Sequence, residues 1–535
     1  MNRLRLSLTF VSTVLLGVAA ATLGACVGDD PEVTRSESPG TPDAATPEAD
    51  AGADAGAGDA GSTPSPVSVT LTPPLLRLLR PQALSAKLTV DRGEREGEAT
   101  IAIVDLPAGV TADPATIAAG ESSVDLAIRA ADDAAFGGPT TFKVRVTVAG
   151  ETVETTGKVV IAGTPGSPDS SFSANGVATV RLSTQTDVPA ALALAPSGEL
   201  YVAGAGANSN VAEAFLLRFT RAGELDATFG KGGKLQGIAG ATVSTYGSMI
   251  PLPDGLLVAA LTESGGDAAY DARRLGASGV LDTTFGAGGR VVLPGSTTSE
   301  PILRRRPSGG FLARTGAGIV AFDDSGGVDG SFQQVAAAAR SMTVDAKGRI
   351  LACSDNTTSF VLRRFLSTGA PDGTFGSSGV ANIQLPTPDS NPSCRSVAVQ
   401  SDGKIVLGGF TSGGASERRG VLVRALDNGV LDTTFGSSGF RFHGANAATT
   451  LFLGFDLESD DRIVVFGLAS NLAFIRRYSA NGAPDSAFGT LGEVSPLPLS
   501  SDHATVLVDR EAGRVIVTGY ALPSSDGMRV GRYWL

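Results

Sequence analysis

Short apolar runs separated by tight turns fill the chain from Val67 to its end, and this alternation predicts an all-β protein. Seven segments each consist of an apolar run, a turn of the Asp-Gly type and a second apolar run, as in SDGKIVLGG at residues 401–409. A third apolar run follows each of these hairpins, and a turn with the sequence Asp-x-x-Phe leads into a fourth. The pattern therefore predicts seven units of four antiparallel strands.

The Asp-x-x-Phe motif marks the repeat, and each copy follows a glycine by three residues. The seven copies are Asp169/Phe172, Asp226/Phe229, Asp282/Phe285, Asp329/Phe332, Asp372/Phe375, Asp432/Phe435 and Asp485/Phe488. Repeats of this length indicate a solenoid or a propeller. Radial closure protects the strand edges that a stack would leave open, so we predict a seven-bladed β-propeller over residues 164–535.

The order of the strand types predicts how the ring closes. The last residues, RYWL, directly follow a third-type strand, whereas GVATVRL at residues 176–182 is a fourth-type strand with no unit before it. We therefore expect the N-terminal strand to pair with the edge of the C-terminal blade.

Two segments carry a family resemblance. LDTTFGSSG (residues 431–439) and SDGKIVLGG (401–409) resemble the delta-60 repeat, a bacterial β-propeller repeat, and the likeness extends from about Gly166 to Leu535. This resemblance implies a propeller and says little about activity. The repeat after Gly326 reads VDGSFQQVAA and departs from the pattern, so its fourth strand is expected to be irregular.

Residues 67–163 form a separate pattern of short alternating strands, which predicts a small antiparallel sandwich. The stretch LPAGVTADPATIAAGESSVDLAI resembles bacterial immunoglobulin-like modules of surface proteins. That resemblance implies a spacer or an adhesion unit, and the spacer is the simpler interpretation.

The N-terminus has the order of a bacterial export signal. Arg3 and Arg5 precede an apolar run over residues 6–21, and the sequence LGAC then ends at Cys26. This ending resembles the lipobox, which implies a signal peptide over residues 1–25 and a lipid anchor on Cys26. An ordinary cleaved signal and a single membrane helix are the alternatives. The residues after the cysteine are Val27 and Gly28, and neither is an aspartate. By resemblance to enterobacterial sorting rules, this favours the outer membrane as the location of the protein.

Residues 26–66 consist almost entirely of Ala, Gly, Asp, Pro, Thr, Ser and Glu, which predicts a disordered acidic tether. The whole chain has a formal net charge of −12. Because nothing in it forms a basic stripe, nucleic acid is not expected as a partner.

Charged residues at repeated positions are expected to be structural. Six third strands carry an arginine at the same offset, namely Arg218, Arg274, Arg364, Arg424, Arg477 and Arg532, and Ala321 takes its place in the remaining one. A reaction needs one site rather than seven, so these arginines and the motif aspartates are interpreted as turn-to-strand ties.

Few residues suggest catalysis. The only histidines are His443 and His503, and HExxH, Cys-x-x-Cys and G-x-S-x-G motifs are lacking. The sequence therefore predicts neither an enzyme nor a bound metal or cofactor.

Cys353 and Cys394 remain after lipidation and are assigned to adjacent blades, at the end of a second strand and the start of a first strand. An exported protein can form a disulfide there, and two buried free thiols are the alternative.

The connections that vary between repeats suggest a ligand surface. They are AGANSNVAE, TESGGDAAY, LPTPDSNPS, TSGGASERRG and ALPSSDGM, and all are expected on one face of the ring. Tyr270, Arg418 and Arg419 are the contact candidates, because aromatic and arginine side chains are enriched at interfaces. The leading hypothesis is a binding or structural module for an unknown protein or glycan. The alternative is an enzyme that degrades extracellular polysaccharide.

Overall fold

A computed structural model describes residues 65–208, 211–238, 241–264, 267–295, 300–336, 339–413, 417–444, 449–495, 499–521 and 527–535. Residues Val67–Leu535 form the second of the chain's two units and are compact. The predicted signal peptide, Cys26 and nearly all of the predicted tether lie outside the described residues. Within the described residues, no helix is long and apolar enough to cross a membrane.

The first part of the second unit is a pair of packed sheets, ordered β1-β3-β7-β5 and β2-β9-β8-β4-β6. Leu88, Leu126, Phe142 and Val146 are fully buried between them. The strands are β1 (Ser68–Thr72), β2 (Leu75–Leu79), β3 (Ala83–Asp91), β4 (Ala99–Val104), β5 (Val110–Ala112), β6 (Thr116–Ile117), β7 (Ser123–Ala130), β8 (Gly137–Val148) and β9 (Glu151–Ala162).

One pairing in this sandwich differs from the antiparallel prediction. Strand β2, with the sequence LLRLL, runs parallel to β9. Since β2 and β3 are joined by only three residues yet belong to different sheets, the chain crosses the sandwich there, and the short apolar run gave no sign of the crossing.

Seven further sheets follow, and they confirm the all-β prediction. Their strands are β10 (Val177–Val180), β11 (Asp187–Leu194), β12 (Leu200–Asn208), β13 (Val211–Phe219), β14 (Lys234–Gln236), β15 (Val243–Leu252), β16 (Gly255–Ser264), β17 (Asp267–Gly276), β18 (Arg290–Val292), β19 (Ile302–Arg305), β20 (Phe311–Thr315), β21 (Gly318–Phe322), β22 (Ser341–Val344), β23 (Ile350–Asp355), β24 (Ser359–Phe365), β25 (Val380–Gln384), β26 (Asp389–Val399), β27 (Ile405–Gly413), β28 (Glu417–Ala425), β29 (Phe440–His443), β30 (Thr450–Leu457), β31 (Ile463–Ala469), β32 (Leu472–Tyr478), β33 (Glu493–Val494), β34 (Leu499–Asp509), β35 (Arg514–Ala521) and β36 (Met528–Trp534).

The seven sheets surround a common centre. The first strands of successive sheets, β11, β15, β19, β22, β26, β30 and β34, contact each other in turn, and β34 contacts β11 again. Apolar side chains fill the gaps between adjacent sheets; for example, Leu351 and Leu407 share one buried cluster between the fourth and fifth sheets. This arrangement is that of a β-propeller.

The ring closes through the two ends of this part of the chain, as the sequence predicted. Strand β10 pairs antiparallel with β36, with Val177 opposite Gly531 and Val180 opposite Met528. The seventh sheet is therefore ordered β10-β36-β35-β34.

The third sheet has three strands, β19, β20 and β21. The segment that was expected to be an irregular fourth strand pairs with β21 at two isolated bridges, between Ile319 and Val335 and between Phe322 and Val328. This segment contains Val328, Gln333 and Gln334. It lacks the alternation of apolar and polar residues that the other repeats have at this place.

The antiparallel order defines two faces of the ring. The turns between first and second strands and the Asp-x-x-Phe links lie on one face, named here the turn face. The tips between second and third strands and the links between sheets lie on the opposite hairpin face. Four of the five predicted variable loops are largely strand in their described residues; for example, β16 extends to Ser264 and β17 begins at Asp267. The fifth, ALPSSDGM, lies mostly outside the described residues. The Ala, Gly and Ser residues of these segments predicted loops, but the pairing between neighbouring strands continues into the segments.

The sandwich packs against the turn face at the seventh sheet. Lys158 forms an ion pair with Glu511, and Arg77 donates hydrogen bonds to the carbonyls of Arg510 and Glu511. Trp534 is fully buried beside Val160 and Ala162 of β9.

Candidate functional site

The Asp-x-x-Phe turn forms a polar cluster that we call the latch, made of the motif aspartate, an arginine and usually a hydroxyl residue. In the fifth sheet, Asp432 Oδ1 accepts hydrogen bonds from the Thr434 amide at 3.1 Å and from its Oγ1 at 2.6 Å. Asp432 Oδ2 lies 2.8 Å from Arg424 Nε. Arg424 also donates to the carbonyl of Ala480 in the next sheet, at 2.7 Å. The latch therefore ties a turn to its own strand and to the neighbouring blade.

The arginine–aspartate contact recurs in every sheet of the ring. The pairs are Arg532–Asp169 at 2.8 Å, Arg218–Asp226 at 2.8 Å, Arg274–Asp282 at 3.3 Å, Arg306–Asp329 at 2.6 Å, Arg364–Asp372 at 2.8 Å, Arg424–Asp432 at 2.8 Å and Arg477–Asp485 at 2.8 Å. Where Ala321 interrupts the arginine series, Arg306 from the turn between β19 and β20 supplies the guanidinium. Sequence reasoning missed this replacement, although LRRRPSGG is unusually rich in arginine for such a turn.

A backbone hydrogen bond joins each latch to the next sheet. The residue after each motif phenylalanine donates its N–H to the carbonyl that precedes the next motif glycine. The seven bonds are Ser173–Ala222, Gly230–Ser278, Gly286–Ser325, Gln333–Thr368, Gly376–Asn428, Gly436–Asn481 and Gly489–Pro165. The set runs once around the ring without a break.

The motif glycine is required by geometry in this link. Gly429 has φ +87°, and a Cβ there would lie 2.9 Å from the ring of Phe375 in the preceding sheet. The repeated glycine, aspartate and arginine residues of the turn face therefore hold adjacent blades together. This agrees with the structural role predicted for the repeated charges.

The contact candidates predicted on the hairpin face fall in different places. Tyr270 lies within β17 and is only 8% exposed, inside the apolar cluster with Phe285 and Leu303. This corrects its expected position in a solvated loop. Burial raises the pKa of its phenol above the ordinary value of 10. The reason is that TESGGDAAY continues the β16–β17 ladder, which turns Tyr270 inward.

Arg418 and Arg419 are neighbours on β28 and point to opposite sides of the sheet, as alternation requires. Arg419 forms a bidentate ion pair with Asp389, with Nε at 3.2 Å from Oδ1, and lies 4.4 Å over the ring of Phe442. Arg418 is exposed, with its guanidinium 5.3 Å from the centre of Phe410. The structure thus brings these two arginines to the fifth sheet and leaves Tyr270 in the second.

Arg395 is a further residue of this region that sequence reasoning missed. It is exposed on β26, and its guanidinium lies 5.2 Å from the same Phe410 ring. The only signal was the polar run SCRS, which interrupts the apolar alternation of a first strand.

His443 is enclosed rather than exposed. Its ring stacks on Phe452 and packs against Phe474, with centroids 5.7 and 5.0 Å away. Burial, together with the charge of Arg476, lowers its pKa to about 4. Glu493 lies 3.4 Å from Nε2 and would favour the charged form, but the aromatic enclosure outweighs this single contact, so the ring is neutral at pH 7. The side chain of His503 lies outside the described residues.

Cys353 and Cys394 are joined by a disulfide between the fourth and fifth sheets, with Cα atoms 6.3 Å apart. Both residues lie in the middle of their strands, β23 and β26, rather than at the strand ends where the sequence placed them. Cys394 also donates its backbone N–H to Asp355 at 3.0 Å.

A cavity of about 40 Å³ lies where the sandwich meets the ring, lined by Pro139, Phe172, Arg221, Arg514 and Arg532 among others. That volume suits a water molecule rather than an organic ligand. Among the described residues, no three His, Cys, Asp or Glu side chains are grouped closely enough to hold a metal ion.

One family model matches two parts of the chain. It is described as "Domain of unknown function (DUF5122) beta-propeller" and matches residues 195–229 and 400–435, in the first and fifth sheets. Both matches end at a motif phenylalanine, so the family signal coincides with the repeat. No curated protein matches the chain.

Several solved structures are similar at low identity. A quinonprotein alcohol dehydrogenase-like protein from Bacteroides thetaiotaomicron is 10% identical with a TM-score of 0.34, covering 83% of this chain and 87% of that one. Prolyl oligopeptidase B from Galerina marginata is 11% identical with a TM-score of 0.36, covering 63% and 47%. The Nup133 β-propeller domain from Vanderwaltozyma polyspora is 8% identical with a TM-score of 0.22, covering 83% and 99%. These scores assign no activity to the present chain.

Proposed function

We propose that this chain is a lipid-anchored protein of the bacterial cell envelope whose seven-bladed propeller is a binding or structural module for a protein or glycan. One observation carries the proposal: the polar residues of the turn face repeat from sheet to sheet as latches, whereas the residues of the hairpin face differ between sheets. Repeated residues build a scaffold, and departures from the repeat are where a single ligand can be recognised.

The anchor is part of the same proposal. Cys26, after an apolar run and the small residues Gly24 and Ala25, carries the lipid, and the acidic segment up to residue 66 separates the membrane from the folded unit. The proposed location is the outer membrane, with the sandwich as an immunoglobulin-like module and the ring as a member of the delta-60 repeat family.

A non-catalytic role is also proposed. The latch carboxylates are held by arginine and hydroxyl groups, and His443 is enclosed by phenylalanines, so these groups are engaged in packing and hydrogen bonding. The polysaccharide-degrading alternative finds no specific support in this arrangement.

The ligand surface can be tested with two exposed apolar residues on opposite faces. Leu472 is 60% exposed at the hairpin tip of the sixth sheet, and Val430 is 56% exposed on the turn face. Binding of envelope extract and glycan arrays should be lost in Leu472→Arg and kept in Val430→Arg, because a long charged side chain blocks contact with the face that carries it. Loss in Val430→Arg alone would assign the ligand to the turn face and overturn the proposal.

The anchor can be tested independently. Cys26→Ser should abolish incorporation of labelled palmitate and release the protein from the membrane fraction. Continued labelling of that variant would show that Cys26 is not the lipidated residue.

A further inference from the structure

The cavity where the sandwich meets the turn face contains charged groups that the latches do not account for. Its volume is about 40 Å³, and its lining includes Pro139 of the sandwich and Thr220, Arg221, Arg514 and Arg532 of the ring. All of its lining residues belong to the described part of the chain. Since one water molecule needs about 10–15 Å³, the cavity has room for a small inorganic ion but not for an organic molecule.

Arg514 lines this cavity with donors that have no acceptor. Its side chain is 5% exposed, and its Nε lies 2.8 Å from Asp169 Oδ2. That oxygen already accepts a hydrogen bond from Arg532 Nε, also at 2.8 Å, and the Nε–H of Arg514 does not point towards it. Among the described residues, no group accepts a hydrogen bond from the five N–H donors of Arg514. Buried polar groups are nearly always hydrogen-bonded, so this guanidinium is suited to an acceptor inside the cavity.

The length of the turn before Arg514 explains its lack of an acceptor. Arg349 holds the equivalent place in the fourth sheet, four residues after Asp345, and its Nε lies 2.6 Å from that carboxylate. The turn in the seventh sheet is one residue longer, so Arg514 follows Asp509 by five residues. The carboxylate of Asp509 accepts the N–H of Ala512 within this turn, at 2.9 Å, and forms no ion pair with Arg514. The contact that engages Arg349 is therefore not made by Arg514.

The charged side chains around the cavity leave an excess of positive charge. The arginines that line it are Arg221, Arg514 and Arg532, and the carboxylates that line it or pair with these arginines are Asp169, Asp509 and Glu511. Glu511 forms an ion pair with Lys158 of the sandwich, so two carboxylates remain for three guanidinium groups. Burial, followed by the charge of Arg514, lowers the pKa of Arg532 to about 10, and this group is still charged at pH 7. One anion in the cavity would therefore balance the charge.

We infer that this cavity binds a phosphate group, held by the guanidinium of Arg514 and the hydroxyl of Thr220. The site lies on the turn face and does not depend on the ligand proposed for the hairpin face. A guanidinium can bond two phosphate oxygens at once through paired N–H donors. Thr220 Oγ1 accepts the Glu224 N–H at 3.3 Å, so its own hydrogen remains available for donation.

The size and charge of the cavity favour a phosphate group over other occupants. Water would fill the space but would not neutralise the excess charge, and an organic carboxylate needs room for its carbon skeleton. A phosphate group is compact, and it offers several acceptor oxygens that Arg514 and Thr220 can share. Free inorganic phosphate and the phosphate of a lipid headgroup have this chemistry in common.

Isothermal titration calorimetry of the purified full-length protein with inorganic phosphate tests the inference, with sodium chloride at equal ionic strength as the control. Phosphate should bind saturably and raise the melting temperature, because a ligand of the folded state stabilises it. Arg514→Gln should weaken binding about tenfold or more, since it removes the charged, paired donors. Arg514→Lys keeps the charge but not the paired donors, and its affinity should lie between the two.

Arg305→Gln is the matched control. Arg305 is about half exposed at the turn end of β19 and pairs with Asp324 in the third sheet, away from the cavity. This variant should bind phosphate like the wild type. Hydrogen exchange of the wild type adds a readout that does not depend on the folding of any variant. Phosphate should slow exchange in β35 and β36, which carry Arg514 and Arg532, and should leave β27 and β28 unchanged.

Several outcomes would overturn the inference. They are equal effects of chloride and phosphate on the wild type, wild-type affinity in Arg514→Gln, an equal loss in Arg305→Gln, and exchange that slows evenly in all sheets or in none. Vesicles that contain phosphatidic acid identify the source of the phosphate group. If they compete with inorganic phosphate for the wild type but do not bind Arg514→Gln, the source is a lipid headgroup. If inorganic phosphate binds through Arg514 and the vesicles do not compete, the ligand is the free ion.

Discussion

The seven latches use the same groups at different depths. In the fifth sheet the side chains of Arg424 and Asp432 are 2% and 4% exposed, whereas those of Arg274 and Asp282 in the second sheet are 27% and 28% exposed. A buried ion pair that loses one partner leaves a charge without solvent or counter-ion, and an exposed pair does not. Latches with the same sequence motif therefore contribute different amounts to the free energy of unfolding.

Asp432→Asn and Asp282→Asn form a matched pair of variants for this difference. Asp432→Asn should lower the free energy of unfolding by about 3 kcal/mol, because Arg424 keeps its charge in a buried site. Asp282→Asn should cost about 1 kcal/mol or less, because water screens Arg274. Urea unfolding of both variants measures the difference. Equal losses would show that burial does not set the strength of the latch.

Acid should weaken the latches through their carboxyl groups. The hydroxyl of Ser331, followed by the guanidinium of Arg306, holds the pKa of Asp329 at about 2, below its ordinary value of 3.8. The folded state therefore binds fewer protons than the unfolded state between these values. The stabilisation is fully present above about pH 4 and is lost as the pH falls through about 2.

An NMR titration of the Asp329 carboxyl carbon in Ser331→Ala provides the measurement. Removing the hydroxyl should raise the pKa of Asp329 towards 3.8, whereas Ser85→Ala in the distant sandwich should leave it unchanged. An unaltered pKa in Ser331→Ala would assign the depression to Arg306 and to the backbone N–H of residue 331.

At the scale of strands, alternation and turn chemistry predicted the repeat well because each strand carries its own local signal. The Asp-Gly turns and the Asp-x-x-Phe links lie where the sequence placed them, and β10 pairs with β36. The parallel pairing of β2 with β9 was missed, because LLRLL has no alternation to show which sheet it joins. Tyr270 and Arg395 were misjudged or missed because hairpin length and bulges depend on pairing between strands, which a single strand's sequence does not encode.

The disulfide between β23 and β26 should stabilise the contact between two blades. The cysteines are 41 residues apart in sequence, and opening a loop of this size costs about 3 to 4 kcal/mol of stability in the chain-entropy description. The double variant Cys353→Ser/Cys394→Ser should lose that much free energy of unfolding, measured by unfolding in guanidinium chloride, and its midpoint should be lower. Reductant should destabilise the wild type equally and should not affect the double variant, and a wild type insensitive to reductant would contradict the prediction.

At the scale of the whole molecule, the propeller closes at the place where the sandwich joins the ring. The linker after β9 continues into the pairing that closes the ring: Gly166 donates to the carbonyl of Trp534, and Asp169 donates to that of Arg532. The last latch is formed by Asp169 and Arg532, which are 363 residues apart in sequence. Closure therefore brings together residues from both ends of the ring segment, directly beneath the sandwich.

Trp534 is the side chain that couples these two parts, so its removal should loosen the closure selectively. It is fully buried beside Val160 and Ala162 of the sandwich, and Arg514 lies 4.6 Å over its ring. Trp534→Ala should cost about 3 to 5 kcal/mol, as expected for a large buried aromatic side chain.

The loss should appear locally, because β10 is an edge strand held only by β36 and its packing. Hydrogen exchange followed by mass spectrometry should show faster exchange in β10 and β36 of Trp534→Ala, while β12 and β13 in the first sheet keep their protection. Val292→Ala removes an exposed side chain from the outer strand β18 and should leave both regions as in the wild type. If Trp534→Ala raised exchange evenly in all seven sheets, the ring would open as one cooperative body, and the sandwich would have no special part in its closure.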